Sequence, residues 1–476
     1  MNQNITVVTG SGAAAGLSAY QFLGIPYGTA KRFQKAVPVS WSGVLDCTAY
    51  RDKAPQVSPA ALKAPGEPFS MEGSEDCLHL NIWTPSTDPA AGLPVVVYIH
   101  GGAFQNGCNS VPGYAGDLFA QGSPLVFISV NYRLGVPGNL SLGDLLGEEY
   151  ADSGNQAELD VLLALRWIKE NAAAFGGSPG RITLMGISAG AKIIGALMTL
   201  PESRDLFQQV IMESGAMQAF RSVTSAEEIR NRYLRLLPGT AAADLPGLPL
   251  EQLMRAQAEL CSGPGSTAFF GPVTDGRTFA PDWSGRWDRG LCWQGRALVG
   301  SARHEMYRIT ELPAFREAPE RIVRRLFGGN AGAVLRTQAE GDGRTWTQVL
   351  SDAMYRSPAD SLCRRLMAAD CPVWSYSFEY PPAGHGMGFH FAMRQEKDSY
   401  CGIPESERET AGGTAAAMNR CFRQFILCGD PDSGAQLPWK PLNPEGSKLC
   451  FGKKITACRF AGDSLPGLPD YTFAAE

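Results

Sequence analysis

Apolar residues in this chain form short, β-branched runs separated by longer segments of helical periodicity. The runs are too short for ordinary helices and predict buried strands. They lie at residues 94–99, 125–130, 181–185, 209–212 and 373–378. Between the second and third runs, residues 156–171 place Leu159, Leu162 and Trp167 on one face and charged side chains on the other, which predicts an amphipathic helix.

A second helix, built mainly from small residues, is predicted at residues 189–200. Strands that alternate with helices predict an α/β fold with a mostly parallel central sheet, because parallel neighbours need crossover connections. Ligands of such sheets bind at the carboxyl ends of the strands. Residues from about 216 to 370 are rich in helix formers and predict helical excursions. Because no linker or internal repeat divides the chain, we expect one domain over residues 1–476.

The composition is that of an ordinary globular protein. The chain has 476 residues, of which 44 % are hydrophobic and 19 % charged, so it can bury a core without disulfides or metals. Its 42 Lys and Arg against 47 Asp and Glu give a net charge of −5 with no basic stripe, so we expect no nucleic-acid partner. No apolar run approaches the roughly 20 residues of a membrane span, so we expect no membrane association.

The cysteines and the first residues indicate the cellular compartment in which the protein works. Residues 1–6 have no basic region followed by an apolar one, so no signal peptide is expected. The 12 cysteines show no repeating spacing, which favours thiols in a reducing compartment over a disulfide framework. We therefore predict a cytoplasmic protein. The sequence gives no indication of its oligomeric state.

A serine at position 188 lies within the sequence G-x-S-x-G, residues 186–190, between a predicted strand and a predicted helix. Such a sharp turn lifts the serine hydroxyl above the edge of the sheet, and the small flanking residues permit the tight backbone. The pentapeptide alone is a weak signal, because glycine and serine abound in loops, and an ordinary turn is the alternative. In this context it predicts a nucleophilic Ser188.

A glycine-rich stretch, His-Gly-Gly-Ala at residues 100–103, follows the run at 94–99. Acyl transfer generates an oxyanion, and loops of this kind can direct several amide N–H groups at it. We therefore expect Gly102 and Ala103 to donate from this loop and Ala189 to donate from the turn after the serine. The alternative is a Gly-Gly turn that only closes the strand.

Longer motifs along the chain resemble the type-B carboxylesterase family, which includes para-nitrobenzyl esterases and cholinesterases. Residues 74–85, Ser-Glu-Asp-Cys-Leu-His-Leu-Asn-Ile-Trp-Thr-Pro, resemble the family's second signature almost residue for residue. Similar blocks lie at residues 24–27, 131–135, 175–179 and 429–431. The resemblance covers essentially the whole chain. It implies an α/β-hydrolase fold and a Ser-Glu-His triad that hydrolyses a small-molecule ester.

The resemblance also implies the other two members of the triad. The family's acid follows a short strand in a Gly-x-x-x-Asp-Glu-Gly block, which residues 300–306 resemble, so Glu305 is the expected acid. Of the five histidines, only His385 and His390 follow Glu305, as the chain order of such triads requires. The residues after His385 follow the family's outline more closely. We therefore predict His385 as the base, with His390 as the alternative.

Some positions depart from the family's pattern, namely Ile187, His304, Met306 and Gly388. Ile187 replaces a glutamate beside the nucleophile, so we expect a more apolar pocket that attracts cations less. The main hypothesis is a serine carboxylesterase that acts on small to medium neutral esters through an acyl-enzyme. The departures motivate a second hypothesis, a catalytically silent binding protein on the same scaffold. Amide, thioester or lactone hydrolysis by the same triad is not separated from the first hypothesis by sequence.

Neither a cofactor nor a metal is expected. Residues 7–16 contain Gly10, Gly12 and Gly16, but their spacing differs from the dinucleotide-binding fingerprint, and no acidic residue lies at the distance of the ribose. A glycine-rich β-hairpin is the alternative for this segment. His385 and His390 could form a metal pair, but they lack further ligands nearby.

Overall fold

The structure is a computed structural model that describes residues 5–16, 21–57, 69–111, 116, 119, 122–262, 269–339, 343–432, 434 and 437–460. Seventeen strands lie within these residues. They are β1 Ile5–Thr9, β2 Gly12–Gly16, β3 Gln21–Pro26, β4 Gly28–Thr29, β5 Val37–Pro38, β6 Val44–Asp46, β7 Gln56–Val57, β8 Met71–Glu72, β9 His79–Trp83, β10 Leu93–Ile99, β11 Val126–Val130, β12 Gly177–Ile187, β13 Gln209–Glu213, β14 Arg296–Ala302, β15 Val373–Phe378, β16 Ser447–Phe451 and β17 Ile455–Arg459.

Helices connect and cover these strands. They are α1 Gly135–Asn139, α2 Gly143–Leu146, α3 Gln156–Asn171, α4 Ala189–Leu197, α5 Val223–Arg235, α6 Leu250–Leu260, α7 Trp283–Asp288, α8 Tyr307–Thr310, α9 Pro313–Glu317, α10 Pro319–Phe327, α11 Ala331–Ala339, α12 Trp346–Ser351, α13 Ser357–Ala368, α14 Met387–Ala392 and α15 Arg408–Cys428. Helices α5 to α13 lie within residues 216–370, together with strand β14. None of the described helices is both long enough and apolar enough to cross a bilayer.

Ten strands form one central sheet in the order β17-β16-β15-β14-β13-β12-β10-β11-β9-β3. The strands from β11 to β16 in this order run parallel, and the pairs at the two edges are antiparallel. The five predicted strands correspond to β10, β11, β12, β13 and β15, and helix α3 has the predicted bounds. The predicted mostly parallel sheet is therefore confirmed.

The segment that resembled a dinucleotide-binding loop is a β-hairpin. Strand β1 pairs with β2 in antiparallel register from Ile5 opposite Gly16 to Thr9 opposite Gly12. A Cβ atom on Gly12 would lie 2.7 Å from the Cδ1 atom of Trp41 and 2.8 Å from its carbonyl oxygen, so the residue there must be glycine. The glycine-rich hairpin, the alternative stated for this segment, is confirmed.

The central sheet is buried on both faces, as a parallel sheet requires. Strand β10 illustrates this, because Val95 and Val97 point into a core that includes helices α3 and α4, while Val96 and Tyr98 point into a second core that includes α15. A third, smaller apolar cluster lies within residues 306–355. Two large cores and one small cluster therefore surround the sheet.

The carboxyl ends of five neighbouring strands meet at one edge of this sheet. Strands β10, β12, β13, β14 and β15 end there, and each is followed within a few residues by a polar or glycine-rich segment. Side chains from distant parts of the chain are thereby brought together, at the place where ligands of α/β sheets bind.

Candidate active site

Ser188 lies at a sharp turn between β12 and α4. Its backbone has φ +54° and ψ −118°, a conformation that costs free energy in a residue with a side chain. Its amide N–H donates to the carbonyl oxygen of Glu213 over 2.9 Å, which ties the turn to the next strand. A Cβ atom on Gly190 would overlap the carbonyl oxygen of Ile99, and one on Gly186 would lie 2.7 Å from the carbonyl carbon of Gly190. Close packing of β10, β12 and α4 therefore holds Ser188 in this turn.

His385 joins Ser188 to Glu305. The ring Nε2 atom of His385 lies 2.9 Å from the hydroxyl oxygen of Ser188, and its Nδ1 atom lies 2.6 Å from Oε2 of Glu305. His385 follows β15 and Glu305 follows β14, so the sheet brings together residues that are 80 and 197 positions apart in sequence. The three predicted residues thus form one continuous hydrogen-bonded chain.

The carboxylate of Glu305 determines which nitrogen of the His385 ring carries the proton. An ionised carboxylate can only accept hydrogen bonds, so Nδ1 donates to it, and Nε2 of the neutral ring is left to accept from the Ser188 hydroxyl. The second oxygen of Glu305 accepts from the Ser214 hydroxyl over 2.6 Å and from the Ala302 amide over 2.7 Å. These bonds fix a carboxylate that is almost completely buried.

The loop after β10 places backbone amides beside Ser188. Gly102, Ala103 and Phe104 have φ values of +110°, +55° and +60°, and the amides of Gln105 and Asn106 both donate to the Gly102 carbonyl oxygen. In the described part of the chain, the amides of Gly102 and Ala103 donate no hydrogen bond. These two amides are therefore available to a ligand.

Ala189 supplies a third amide as the first residue of α4. The first N–H groups of a helix have no partner within the helix, and the Ser188 side chain does not cap this one. Across the turn, a Cβ atom on Gly101 would lie 3.2 Å from the Cβ atom of Ser188, so the loop after β10 approaches the serine closely. The amide of Ala189 therefore lies next to Ser188, as the loop after β10 does.

His100 anchors the start of this loop. Its ring stacks on that of Tyr132 with centroids 4.4 Å apart, and the Tyr132 hydroxyl donates to the His100 carbonyl oxygen over 2.7 Å. The Nδ1 atom of His100 lies 2.8 Å from the Gly101 carbonyl oxygen. Burial lowers the pKa of His100 to about 4, so its ring is neutral at physiological pH. His100 holds the loop and does not act as a base at Ser188.

A cavity of about 620 Å³ opens over these groups. Ser188, His385, Gly102 and Ala103 line it, and Ile187 lies beside the serine as expected. Much of the remaining wall is apolar or aromatic, with the members Tyr98, Val111, Met306, Ile309, Tyr355 and Tyr400. The cavity also contains a charged residue that the sequence did not predict, Lys192.

The alternative histidine lies elsewhere in the same cavity wall. The His390 ring stacks on Tyr400 with centroids 4.7 Å apart, and burial lowers its pKa to about 4. Among the described residues, the Ser188 hydroxyl and the Glu305 carboxylate form hydrogen bonds with His385 and not with His390. The Nδ1 atom of His304 lies 3.3 Å from the carbonyl oxygen of Pro382, so His304 is also not part of the hydrogen-bonded chain of Ser188, His385 and Glu305.

Sequence reasoning missed three residues around the site. Glu213 is the last residue of β13 and Ser214 follows it, at the edge where ligands bind. Their position after the predicted strand at 209–212 was the signal that could have found them. The carboxyl of Glu213 accepts from the Tyr376 hydroxyl over 2.9 Å and from the Phe389 amide over 2.7 Å, which links β13 to helix α14 beside His385. Lys192 lies one helical turn after Ser188, and that spacing was its only signal.

The described residues contain no group of three or more His, Cys, Asp or Glu side chains that could hold a metal ion.

The comparison with protein families identifies the scaffold. Residues 6–307 match the model of the carboxylesterase family. The chain belongs to the carboxylesterase family. It is 31 % identical over 377 residues to the para-nitrobenzyl esterase of Bacillus subtilis, which covers 76 % of this chain and 75 % of that protein. It is 29 % identical over 486 residues to the fumonisin B1 esterase of Sphingopyxis macrogoltabida, covering 94 % of this chain and 86 % of the relative.

Solved structures of carboxylesterases share the fold. The structure of a carboxylesterase from Geobacillus stearothermophilus superposes with a TM-score of 0.82 at 30 % sequence identity, over 95 % of this chain and 97 % of the other. A para-nitrobenzyl esterase structure superposes with a TM-score of 0.80 at 27 % identity, over 96 % and 98 % of the two chains. The predicted α/β-hydrolase fold is confirmed.

Proposed function

We propose that this carboxylesterase is a serine hydrolase that cleaves neutral carboxylic esters of small to medium size through an acyl-enzyme intermediate. The observation that carries the proposal is the hydrogen-bonded chain from the Ser188 hydroxyl through His385 to Glu305, with distances of 2.9 and 2.6 Å. A silent binding protein would have no need of this chain, so the geometry supports catalysis over that alternative.

The first half of the reaction acylates the serine. His385 accepts the proton of the Ser188 hydroxyl through Nε2 as the serine oxygen attacks the ester carbonyl carbon. Glu305 stabilises the imidazolium that forms, and it keeps the ring in the orientation the transfer needs. When the tetrahedral intermediate collapses, the bond to the alcohol oxygen breaks and His385 returns the proton to that oxygen. The alcohol leaves, and the acyl group remains on Ser188.

The second half repeats these steps with water as the nucleophile. His385 accepts a proton from a water molecule as the water oxygen attacks the carbonyl carbon of the acyl-enzyme. The bond to Ser188 then breaks, His385 returns the proton to the serine oxygen, and the acid is released. In both halves negative charge develops on the former carbonyl oxygen. We propose that the amides of Gly102, Ala103 and Ala189 stabilise it, because such donors are preorganised before the charge forms.

The cavity suits an ester of modest size. Its volume of about 620 Å³ is within the usual range for small-molecule sites, and its mostly apolar wall matches uncharged acyl and alcohol groups. Ile187 adds an apolar side chain beside the nucleophile.

The test replaces Ser188 with alanine and measures turnover of para-nitrophenyl acetate and butyrate. We expect Ser188→Ala to lower kcat by at least about a thousandfold, as for other serine triads. Ser40→Ala, which changes an exposed serine, is the matched control and should retain activity. A fluorophosphonate probe should modify the unaltered enzyme once per chain, at Ser188. Unchanged turnover in Ser188→Ala would refute the proposal, and absence of labelling would support the silent binding protein.

We also propose that residues 1–476 form one domain and that the enzyme works in the cytoplasm. The location is supported by the state of the cysteines, since ten of the twelve are thiols outside any disulfide and nine of these ten are buried. The remaining two, Cys450 and Cys458, pair between the neighbouring strands β16 and β17. A protein whose buried cysteines are mostly thiols suits a reducing compartment.

A further inference from the structure

The cavity beside Ser188 contains a lysine that the proposed mechanism does not use. Lys192 follows Ser188 by one turn of α4, and its amide N–H donates to the Ser188 carbonyl oxygen over 3.0 Å. Only 7 % of the residue is exposed, yet it lines the cavity. Lysines are seldom buried to this extent, because removing an ammonium group from water costs free energy that a nearby negative charge must offset.

The ammonium group lies on the side of the cavity that holds the triad. Its Nζ atom is 5.4 Å from the centroid of the Tyr355 ring, and that centroid is 4.8 Å from the centroid of the His385 ring. Both Tyr355 and His385 line the cavity. An ester bound with its carbonyl carbon at Ser188 would therefore occupy the same cavity that Lys192 lines.

The charges around Lys192 leave it cationic at neutral pH. Burial and the neighbouring Arg221 together lower its pKa to about 8, although the Glu305 carboxylate opposes the shift. That carboxylate already accepts hydrogen bonds from His385, from the Ser214 hydroxyl and from a backbone amide. The negative charge of Glu305 is therefore shared among several hydrogen-bond donors. A substrate carboxylate would supply further negative charge to the cavity that Lys192 lines.

A second cation lies at the cavity wall. Arg308 is exposed, its guanidinium group stacks on the Tyr400 ring at 4.0 Å, and it donates to the Tyr400 carbonyl oxygen over 2.6 Å. Asp398, also exposed, lies in the same wall and carries the opposite charge. The exposed charges are therefore mixed, and the buried charge of Lys192 is the one that water screens least.

We propose that Lys192 extends the substrates of this enzyme from neutral esters to esters that carry a carboxylate on the acyl chain or on the alcohol, and that it favours them. The proposal rests on the proposed ester hydrolysis. A carboxylate beside the ammonium would form a charge-assisted hydrogen bond in a partly desolvated site. Ile187 favours such a substrate because its side chain is uncharged, whereas a glutamate at that position would repel a carboxylate.

The test compares esters that differ in one charge. For the acyl side the pair is monoethyl adipate and ethyl hexanoate, with release of ethanol as the measurement. For the alcohol side the pair is 4-acetoxybenzoate and 4-acetoxybenzamide, with release of the phenol as the measurement. The quantity of interest is the ratio of kcat/KM for the anionic ester to kcat/KM for the neutral ester, in which effects common to both substrates cancel.

We expect Lys192→Met to lower this ratio by roughly tenfold or more in one of the two pairs, since the net free energy of a hydrogen bond to a charged group is of that size. Methionine keeps the unbranched shape and removes the charge. Lys440→Met, which changes an exposed lysine, is the matched control and should leave the ratio unchanged. Lys192→Gln serves as a second variant if the methionine variant unfolds.

The unaltered enzyme gives an independent test through pH. Between about pH 7 and about pH 9.5 the ammonium of Lys192 loses its proton, so the ratio should fall. The charged and titratable groups that face Lys192 or share its cavity are Tyr98, His100, Cys108, Arg221, Glu305, Arg308, Tyr355, His385, His390, Asp398 and Tyr400. Burial raises the pKa of Tyr355 and lowers that of His390 to about 4, so both stay neutral throughout.

A ratio that is the same in Lys192→Met, in Lys440→Met and in the unaltered enzyme, and that does not fall with pH, would overturn this proposal. Turnover of ethyl hexanoate in the same experiment would leave the proposed function standing. If the unaltered enzyme cleaved neither member of either pair, nor para-nitrophenyl butyrate, the proposed function itself would be wrong.

Discussion

At the scale of single residues, the site depends on which of two histidines reaches the serine. His385 and His390 are five positions apart and line the same cavity, yet they differ in their surroundings. The ring of His385 bridges Ser188 and Glu305, whereas the ring of His390 stacks on Tyr400. An imidazole acts as a base only if a partner orients it toward the hydroxyl, so burial alone does not select the base.

This difference predicts unequal effects of the same substitution. His385→Gln should lower kcat for para-nitrophenyl butyrate by about a thousandfold or more, because the serine loses its base. His390→Gln should change kcat by less than about tenfold, because glutamine removes only a neutral ring at the wall. Steady-state kinetics of both variants are the measurement, with thermal unfolding to confirm that each is folded. A loss in His390→Gln as large as that in His385→Gln would contradict the assignment.

At the scale of elements, the packing of β10 against α4 positions both halves of the site. The turn before α4 carries Ser188, and the loop after β10 carries Gly102 and Ala103. Gly190 lies where these two elements meet, and a side chain there would overlap the backbone of β10. A change in this contact must therefore displace the nucleophile relative to the proposed oxyanion donors.

We expect Gly190→Ala to lower both stability and activity. The methyl group would meet the carbonyl oxygens of Ile99 and His100, which are backbone atoms that cannot rotate away, and overpacking of this kind costs about 1–3 kcal/mol. The matched control is Gly413→Ala in α15, where an added Cβ meets nothing within 4 Å. The Tm of thermal unfolding and kcat for para-nitrophenyl butyrate should fall for Gly190→Ala and not for Gly413→Ala. Equal behaviour of the two variants would show that the contact does not matter.

The elements also show what a sequence can predict and where it stops. Five strands and helix α3 were predicted because their patterns are continuous and apolar or amphipathic; the strands are β10, β11, β12, β13 and β15. Strand β9 was missed because it contains polar side chains that are nevertheless buried. Asn81, for example, accepts from the Gly24 amide over 2.7 Å and donates to the Asn109 carbonyl oxygen over 3.1 Å. Whether a polar residue finds such partners depends on tertiary structure.

The same reasoning applies to the site. Ser188 is set by a local turn whose motif can be read directly, whereas Glu305 and His385 required a resemblance because their roles depend on contacts between distant strands. Lys192 was missed because no local pattern distinguishes a buried lysine from an exposed one on a helix. Burial of a charge is a property of the packed molecule, and only the structure reveals it.

At the scale of the whole molecule, burial changes the charge of groups on both faces of the sheet. Burial raises the pKa of Glu158 in α3 and of Glu213 in β13 to about 8. Glu158 accepts from the Asn139 side chain over 3.1 Å, and Glu213 accepts from Tyr376 and the Phe389 amide. Near neutral pH both carboxyls are mostly protonated in the folded protein. In the unfolded chain the same groups ionise near pH 4.5.

This difference makes global stability depend on pH in a defined direction. Each raised pKa adds stability that is complete below about pH 4.5 and is lost as pH rises through about 8, because the unfolded chain releases protons that the folded protein retains. The buried rings of His100 and His390, with pKa values lowered to about 4, have the opposite effect at lower pH, where the unfolded chain takes up protons. Above about pH 7 the histidines no longer contribute, and the two glutamates dominate.

The free energy of unfolding should therefore fall between about pH 7 and about pH 8, by at most about 1.4 kcal/mol per pH unit for each glutamate. The double variant Glu158→Gln, Glu213→Gln should flatten this fall, because glutamine does not ionise and its amide can still accept from the Asn139 side chain and the Phe389 amide. Glu405→Gln, at an exposed position, is the control. Thermal unfolding of the three proteins across this pH range is the measurement. An equal decrease in Tm for the double variant and the control would show that other groups cause the pH dependence, and that these carboxyls are ionised in the folded enzyme.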